Sequence, residues 1–170
     1  MTRAPLIALA VAAAAFGPSA ASTAHPTAVA RQPAARAVTK TLEQSADAFA
    51  RGDLDAASKV WSHSESLTVY EGGHVNDGWT DYRDNHLGPE MKELRRVSYT
   101  LSRIAPHVVG DTAWATFRYA ISGEDLSGKT FSGTGIGTAV LERQGGAWRI
   151  VHWHTTSTPK PKVPASPNPG

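Results

Sequence analysis

Val38, Leu42, Ala46 and Phe49 recur at helical spacing, which predicts an amphipathic helix that stops at Gly52. Asp53 is placed to cap a second, short helix from Leu54 to Val60, because its carboxylate can accept the orphan amide hydrogens of the first turn. Leu67-Thr68-Val69-Tyr70 reads as a short strand and Gly72-Gly73 as a turn. Thr80 can cap a helix over Asp81 to Leu87, which Gly88-Pro89 should interrupt before it resumes over Glu90 to Leu94. Beyond that point the pattern changes to alternation. Val97 to Val109 carries Val97, Tyr99 and Leu101 on one face, Gly110-Asp111 marks a hairpin, and Trp114 to Ile121 follows. Thr130 to Arg143 and Trp148 to Thr156 complete the series around a Gln144-Gly145-Gly146 turn. Helices first and antiparallel strands afterwards is an α+β order.

The ends follow a different pattern. Arg3 precedes an apolar, small-residue run from Ala4 to Gly17, too short for the roughly 20 residues a membrane-spanning helix needs. Ala21 and Ala24 each close a small-residue cleavage pattern, so residues 1–24 read as a secretory signal peptide and the mature protein as periplasmic or secreted, with no stable membrane insertion. Residues 25–37 form a Pro/Ala-rich arm and residues 158–170 a Pro-rich tail, both expected to be disordered, leaving a domain over 38–157. The chain has no cysteine, which removes disulfides, thiolate metal sites and cysteine nucleophiles together. With 17 Lys and Arg against 15 Asp and Glu, the charge is close to balanced, and nucleic acid is not an expected partner.

The order helix, Gly52-Asp53-Leu54, second helix, short strand, Gly-containing hairpin, helix and four strands resembles nuclear transport factor 2-like domains. The closing segment Trp148-Arg149-Ile150-Val151-His152-Trp153-His154-Thr155-Thr156-Ser157 resembles the last strand of SnoaL-like domains and of the calcium/calmodulin-dependent kinase association domain. The resemblance implies a cone, with N-terminal helices packed on a strongly curved antiparallel sheet around a pocket, and a homodimer formed through the sheet. It also implies a choice among isomerases, dehydratases, polyketide cyclases and binding domains, which fold alone does not make. No motif here maps onto the Asp base and Tyr/Asp oxyanion pair of the steroid-isomerase members, nor onto the Asp-Arg-Asp set of the epoxide hydrolases.

The candidate chemistry rests on histidines. His152 and His154 share a face of the last strand, roughly 7 Å apart at Cα. With His86 from the third helix they would make a three-histidine copper or zinc site; without a metal they would line a pocket or a dimer seam. Tyr82 lies one turn before His86 and Glu90 one turn after it. Any of the three histidines could act as general base, with Tyr82 or Tyr99 as proton donor. Arg118 would hold an anionic group if the polar face of its strand lines the cone, and otherwise sits on the solvent face; Trp79 reads first as a core residue and alternatively as a roof over the pocket. His63 and His74 flank turns, where imidazoles are usually solvated. Gly133, Gly135 and Gly137 alternate within a strand, which fits a bend or a close approach and not a phosphate loop. Three readings follow: a small-molecule-binding domain first, then a metal-binding protein, then an enzyme with a histidine base.

Overall fold

Ala-rich sequence decides where the first helix starts. α1 spans Ala28–Arg51, so the arm expected to be disordered up to residue 37 is helical from Ala28, with Pro33 inside. The alanines and arginines around Pro33 are strong helix formers, and their summed propensity outweighs the one donor that proline lacks. The computed structural model describes residues 28–159, and the leader over 1–24 and nearly all of the tail over 158–170 lie outside the described residues.

α2 (Leu54–Ser58) begins as expected, with Asp53 Oδ1 accepting the Ala56 amide at 2.8 Å. β1 (Thr68–Glu71) and β2 (His74–Asp77) form a hairpin over Gly72-Gly73. The third helical region does not break at Gly88-Pro89. α3 (Trp79–Tyr82) passes through a π-helical turn (Arg83–Leu87) into α4 (Gly88–Glu93). In that wider turn the Gly88 amide reaches the Arg83 carbonyl five residues back, which makes room for the Pro89 ring against the preceding turn. α3 starts at Trp79, ahead of Thr80, because Gly78 with φ 81° supplies the turn into it.

β3 (Leu94–Val109), β4 (Thr112–Asp125), β5 (Thr130–Gln144) and β6 (Ala147–Ser157) form a meander, and the sheet order is β2-β1-β6-β5-β4-β3. The sheet is mixed where an antiparallel one was expected. β1 runs parallel to β6, led in by a bridge between Trp61 and Ile150. Bulges give the sheet its curvature. β3 carries two, at Arg96 (φ 49°) and Arg103 (φ 51°), and β6 carries one at Val151, between the pairs Val140–His152 and Leu141–Ile150.

α1 lies across the concave face, where Val38 and Leu42 are fully buried with Leu67, Val69, Leu141 and Ile150. On β4 the inward residues are Ala113, Ala115 and Phe117, and farther along Tyr119 and Ile121. Opposite them in register on β5 stand Gly137, Gly135 and Gly133. A Cβ at Gly135 would fall 2.3 Å from the Tyr119 ring, and one at Gly137 2.4 Å from the Phe117 ring. The aromatic rings therefore lie flat over strand backbone, which keeps the wall thin where the cone opens.

Candidate functional site

The open part of the cone is a cavity of about 540 Å³ between the sheet, α1 and the π turn. Parity decides which side chains reach it. Leu67, Val69 and Glu71 share the inward face of the first strand region, so an acid stands where the pattern asks for an apolar residue. Glu71 Oε1 accepts from Trp153 Nε1 at 2.7 Å and from Thr155 Oγ1 at 3.3 Å, and its Oε2 accepts from the Tyr82 hydroxyl at 3.2 Å. Burial pushes the Glu71 carboxyl above its ordinary value, and these donors and His74 pull it only part of the way back.

His86 faces this carboxyl, with Nε2 4.0 Å from Glu71 Oε2. Its Nδ1 lies 2.8 Å from Asn76 Oδ1. Asn76 has its amide end engaged, since Nδ2 donates to Asp81 Oδ2 at 2.9 Å. The asparagine oxygen can then only accept, which assigns the His86 proton to Nδ1 and leaves Nε2 unprotonated. Asp81 also accepts from Asn85 Nδ2 at 2.8 Å and from the Asp77 amide at 3.2 Å; the bonds from Asn85 and Asn76 hold its carboxyl below the usual range. Desolvation holds the His86 imidazolium below its ordinary pKa, against the opposing pull of Glu90. The result is a tautomer-locked, neutral imidazole beside a carboxyl biased towards its protonated form.

Other groups line the same space. Glu90 lies in the wall with His86, because the helix continues through Gly88-Pro89, and desolvation and the nearby Glu71 raise its pKa. His74 packs against His86 with ring centroids 5.2 Å apart and lines the cavity, although it follows a turn. Tyr99 and Tyr119 stand across from them, 5.6 Å apart at their ring centres.

Four of the sequence-derived candidates fall elsewhere. His152 and His154 are on the convex face, where Thr68 Oγ1 meets His152 Nδ1 at 2.7 Å and Tyr70 packs edge-on to both rings. The bulge at Val151 is the reason. Trp148 and Ile150 point inwards, the extra residue shifts the phase, and Trp153 and Thr155 then take the inward places. His86 therefore does not converge with His152 and His154, and the three do not form a metal site. Among the described residues no group of three or more His, Asp or Glu side chains is placed to hold a metal ion. Arg118 is exposed on the outer face, because the apolar face of β4, with Phe117, Tyr119 and Ile121, is the one that lines the cone. Trp79 is buried behind Tyr82 and stacked near Trp61 and His63, outside the cavity wall. Tyr82 and His86, by contrast, line the cavity. Glu71 and Asn76 went unnoticed in the sequence, though an acid at an inward position beside a Gly-Gly hairpin is a readable signal.

The profile of the SnoaL-like domain matches residues 38–159. A nuclear transport factor 2-like superfamily protein from Salmonella enterica superposes with a TM-score of 0.72 at 21% identity, covering 80% of this chain and 99% of that one. A candidate dehydratase of the same family from Streptomyces avermitilis gives 0.69 at 18% identity, covering 76% and 99%. A candidate ketosteroid isomerase from Shewanella frigidimarina gives 0.59 at 26% identity, covering 71% and 94%. Comparison with curated proteins by sequence returns no match.

Proposed function

This chain belongs to the SnoaL-like domain family, and we propose that its cone holds a small, mostly apolar organic molecule whose polar end meets Glu71 and His86, where the pair moves a proton. The observation that carries the reading is the locked imidazole: Nδ1 is tied to Asn76 at 2.8 Å, and Nε2 is left free 4.0 Å from the Glu71 carboxyl. That separation is too long for a hydrogen bond, and both residues line the cavity. His86 Nε2 is the base, taking a proton from a carbon beside a carbonyl or from a hydroxyl. The Glu71 carboxyl, whose pKa burial raises, is the acid, giving a proton to the oxygen of the ligand, with the Tyr82 and Trp153 donors holding it in place. Removal and return of a proton at two carbons is an isomerisation, and proton removal with loss of protonated hydroxyl is a dehydration.

The test is solvent exchange. A panel of cyclic ketones and hydroxy-ketones in D2O, followed by proton NMR, should show deuterium entering next to the carbonyl faster with the wild type than with His86→Gln. Exchange no faster than the protein-free control across the panel would overturn the proton-transfer part of the reading. The leader pattern over residues 1–24 supports an exported protein. Export is checked by fractionating cells that express the full chain and sequencing the N-terminus of the product.

The convex face favours a homodimer as partner. Tyr70, Trp114 and Ile136 are 39%, 43% and 49% exposed there, with His107 stacked on Trp114. An apolar and aromatic sheet face of this kind is covered by a second copy. Sedimentation should give a dimer for the wild type and a monomer for the double variant Trp114→Glu/Ile136→Glu. A monomeric wild type at micromolar concentration removes the idea.

A further inference from the structure

Strand parity gathers a second set of titratable side chains on the outside of the sheet. His152 stands opposite Val140 of β5 and Thr68 of β1, and His154 stands opposite Thr138 and Tyr70. Thr68 Oγ1 lies 2.7 Å from His152 Nδ1, and the Tyr70 ring meets both imidazoles edge-on, with centroids 5.4 Å and 6.0 Å away. Trp114 follows Val140 in the row of His152, Val75 follows Tyr70 in the row of His154, and Ile136 lies one row beyond. The two imidazoles therefore sit in the middle of the apolar and aromatic patch and not at its rim. Tyr70 and His154 are exposed, so nothing among the described residues covers this centre.

The charges around the pair are few and unbalanced. Neither β1 nor β5 places a charged side chain in the two rows, where Tyr70 is the one further titratable group. Asp77 on β2 shares the row of His152, but it is exposed and two strands away, about 10 Å by strand spacing, where salt screens it. Glu142 and Arg149 face each other on the near side of the patch and offset one another. Arg118 on β4 lies opposite Ile136, and His107 on β3 is stacked on Trp114. The patch thus holds a fixed positive charge and no carboxylate close enough to keep an imidazolium.

Resting on the reading that a second copy covers this face, we propose that His152 and His154 make the homodimer a pH switch, associated near neutrality and driven apart in mild acid by charge on these imidazoles. A two-fold interface sets the same patch on both copies, so the imidazoles of one meet those of the other, together with both Arg118 side chains. Neutral rings pack against Tyr70 and are covered at little cost. An imidazolium must instead give up its water and face like charge across the seam.

The single chain already leans this way. Desolvation first, and His154 second, hold the His152 imidazolium below its ordinary pKa, and covering the face extends the same effect. The dimer then binds fewer protons than two separate copies. Association is fully present above the pKa of the imidazole in the free chain and is lost as pH falls from there towards the lower value in the dimer.

Sedimentation velocity over a concentration series, at about pH 7.5 and about pH 5.5 and one ionic strength, reads the switch. The dissociation constant of the dimer should rise at least about tenfold at the lower pH. In His152→Gln/His154→Gln, whose side chains stay polar but do not titrate, it should move less than about threefold, whereas His107→Gln should still separate in acid. Heats of dilution of the wild type in buffers of different ionisation enthalpy should show protons taken up as the dimer separates, and no uptake would overturn the proposal whatever the variants do. A wild-type dimer equally tight at both pH values, or a double variant that separates in acid as the wild type does, would overturn the switch and leave the dimer standing. A wild type monomeric at both pH values would overturn the dimer and the switch together.

Discussion

Gly88→Ala is a test of the turn that presents His86. The backbone there has φ −66° and ψ −45°, values any residue adopts, so the substitution carries no conformational strain. Space is the issue. A Cβ at Gly88 would fall 2.7 Å from the Arg83 carbonyl oxygen and 3.4 Å from Leu54 Cδ1. The Arg83 oxygen is the acceptor of the Gly88 amide, so it cannot retreat without opening that bond. Tightening the turn to ordinary α-helix would instead press the Pro89 ring on the preceding turn. Overpacking of this kind costs about 2 kcal/mol. Exchanging glycine for alanine inside a helix returns about 1 kcal/mol of propensity. The net expectation is a loss of about 1 kcal/mol, or roughly 0.5 M off the urea midpoint at an m-value of about 2 kcal/mol/M. Tryptophan fluorescence against urea reads it, and 15N chemical shifts of the His86 ring should lose the Nδ1–H signature as the turn moves. A variant as stable as the wild type, with the ring shifts unchanged, would refute the argument that the π turn is held by lack of space at this glycine.

The buried carboxyl sets the sign of a pH effect. The folded pKa of Glu71 is raised above 4.5, chiefly by burial, so its contribution is fully present below that pH and is lost as pH rises through the folded value. Glu71→Gln removes the titration, and its stability relative to the wild type should therefore rise between pH 4.5 and neutrality in urea titrations; a relative fall would contradict the burial argument. Gly135→Ala places a Cβ 2.3 Å from both the Thr156 carbonyl oxygen and the Tyr119 ring, and should cost at least about 2 kcal/mol in the same assay. A loss below about 0.5 kcal/mol would mean the rings do not lie where the flat packing needs them. The double variant His152→Ala/His154→Ala should leave deuterium exchange unchanged, with a stability loss of about 1 kcal/mol from the Thr68–His152 bond. Loss of exchange in that variant would put these histidines back into the site.

Periodicity served well where one face of an element is buried throughout. Val38, Leu42 and Ala46 were chosen by spacing alone and all are in the core. The four long strands lie within a few residues of where their turns put them, because Gly110, Gly128, Gly145 and Gly146 adopt positive φ at the hairpins. Gly88-Pro89 failed as a stop signal because a π turn can absorb a proline that an α-helix cannot. Pro33 failed as evidence for disorder for a different reason, the helix propensity of the alanines and arginines around it. A single residue decided the histidines. Trp148, Ile150, His152 and His154 have one parity, and reading them together sends the histidines inwards with the core. Val151 bulges out of register, and nothing in Ile150-Val151-His152 announces it, since the bulge depends on how β5 pairs across from it. The same bulge delivers Trp153 and Thr155 to the cavity as donors for Glu71.

That exchange changes what the site can do. With His152 and His154 inwards, three imidazoles would have met around an ion. With Trp153 and Thr155 inwards, the cone floor instead becomes a set of donors converging on one carboxyl, with one imidazole beside it. Donors alone do not account for an acid at this position, because a glutamine could accept the same two bonds from Trp153 and Thr155 at no cost of ionisation. Asn76 and Asp81 likewise do more than fill space: they fix which nitrogen of His86 is free, a distinction that packing does not require. A carboxyl that is destabilising to ionise and an imidazole whose tautomer is specified from behind are both features that matter only to a ligand's protons. The acid–base reading of the cone rests on that asymmetry. For the same reason Glu71→Gln and His86→Gln should abolish exchange in D2O while leaving the fold and the cavity in place.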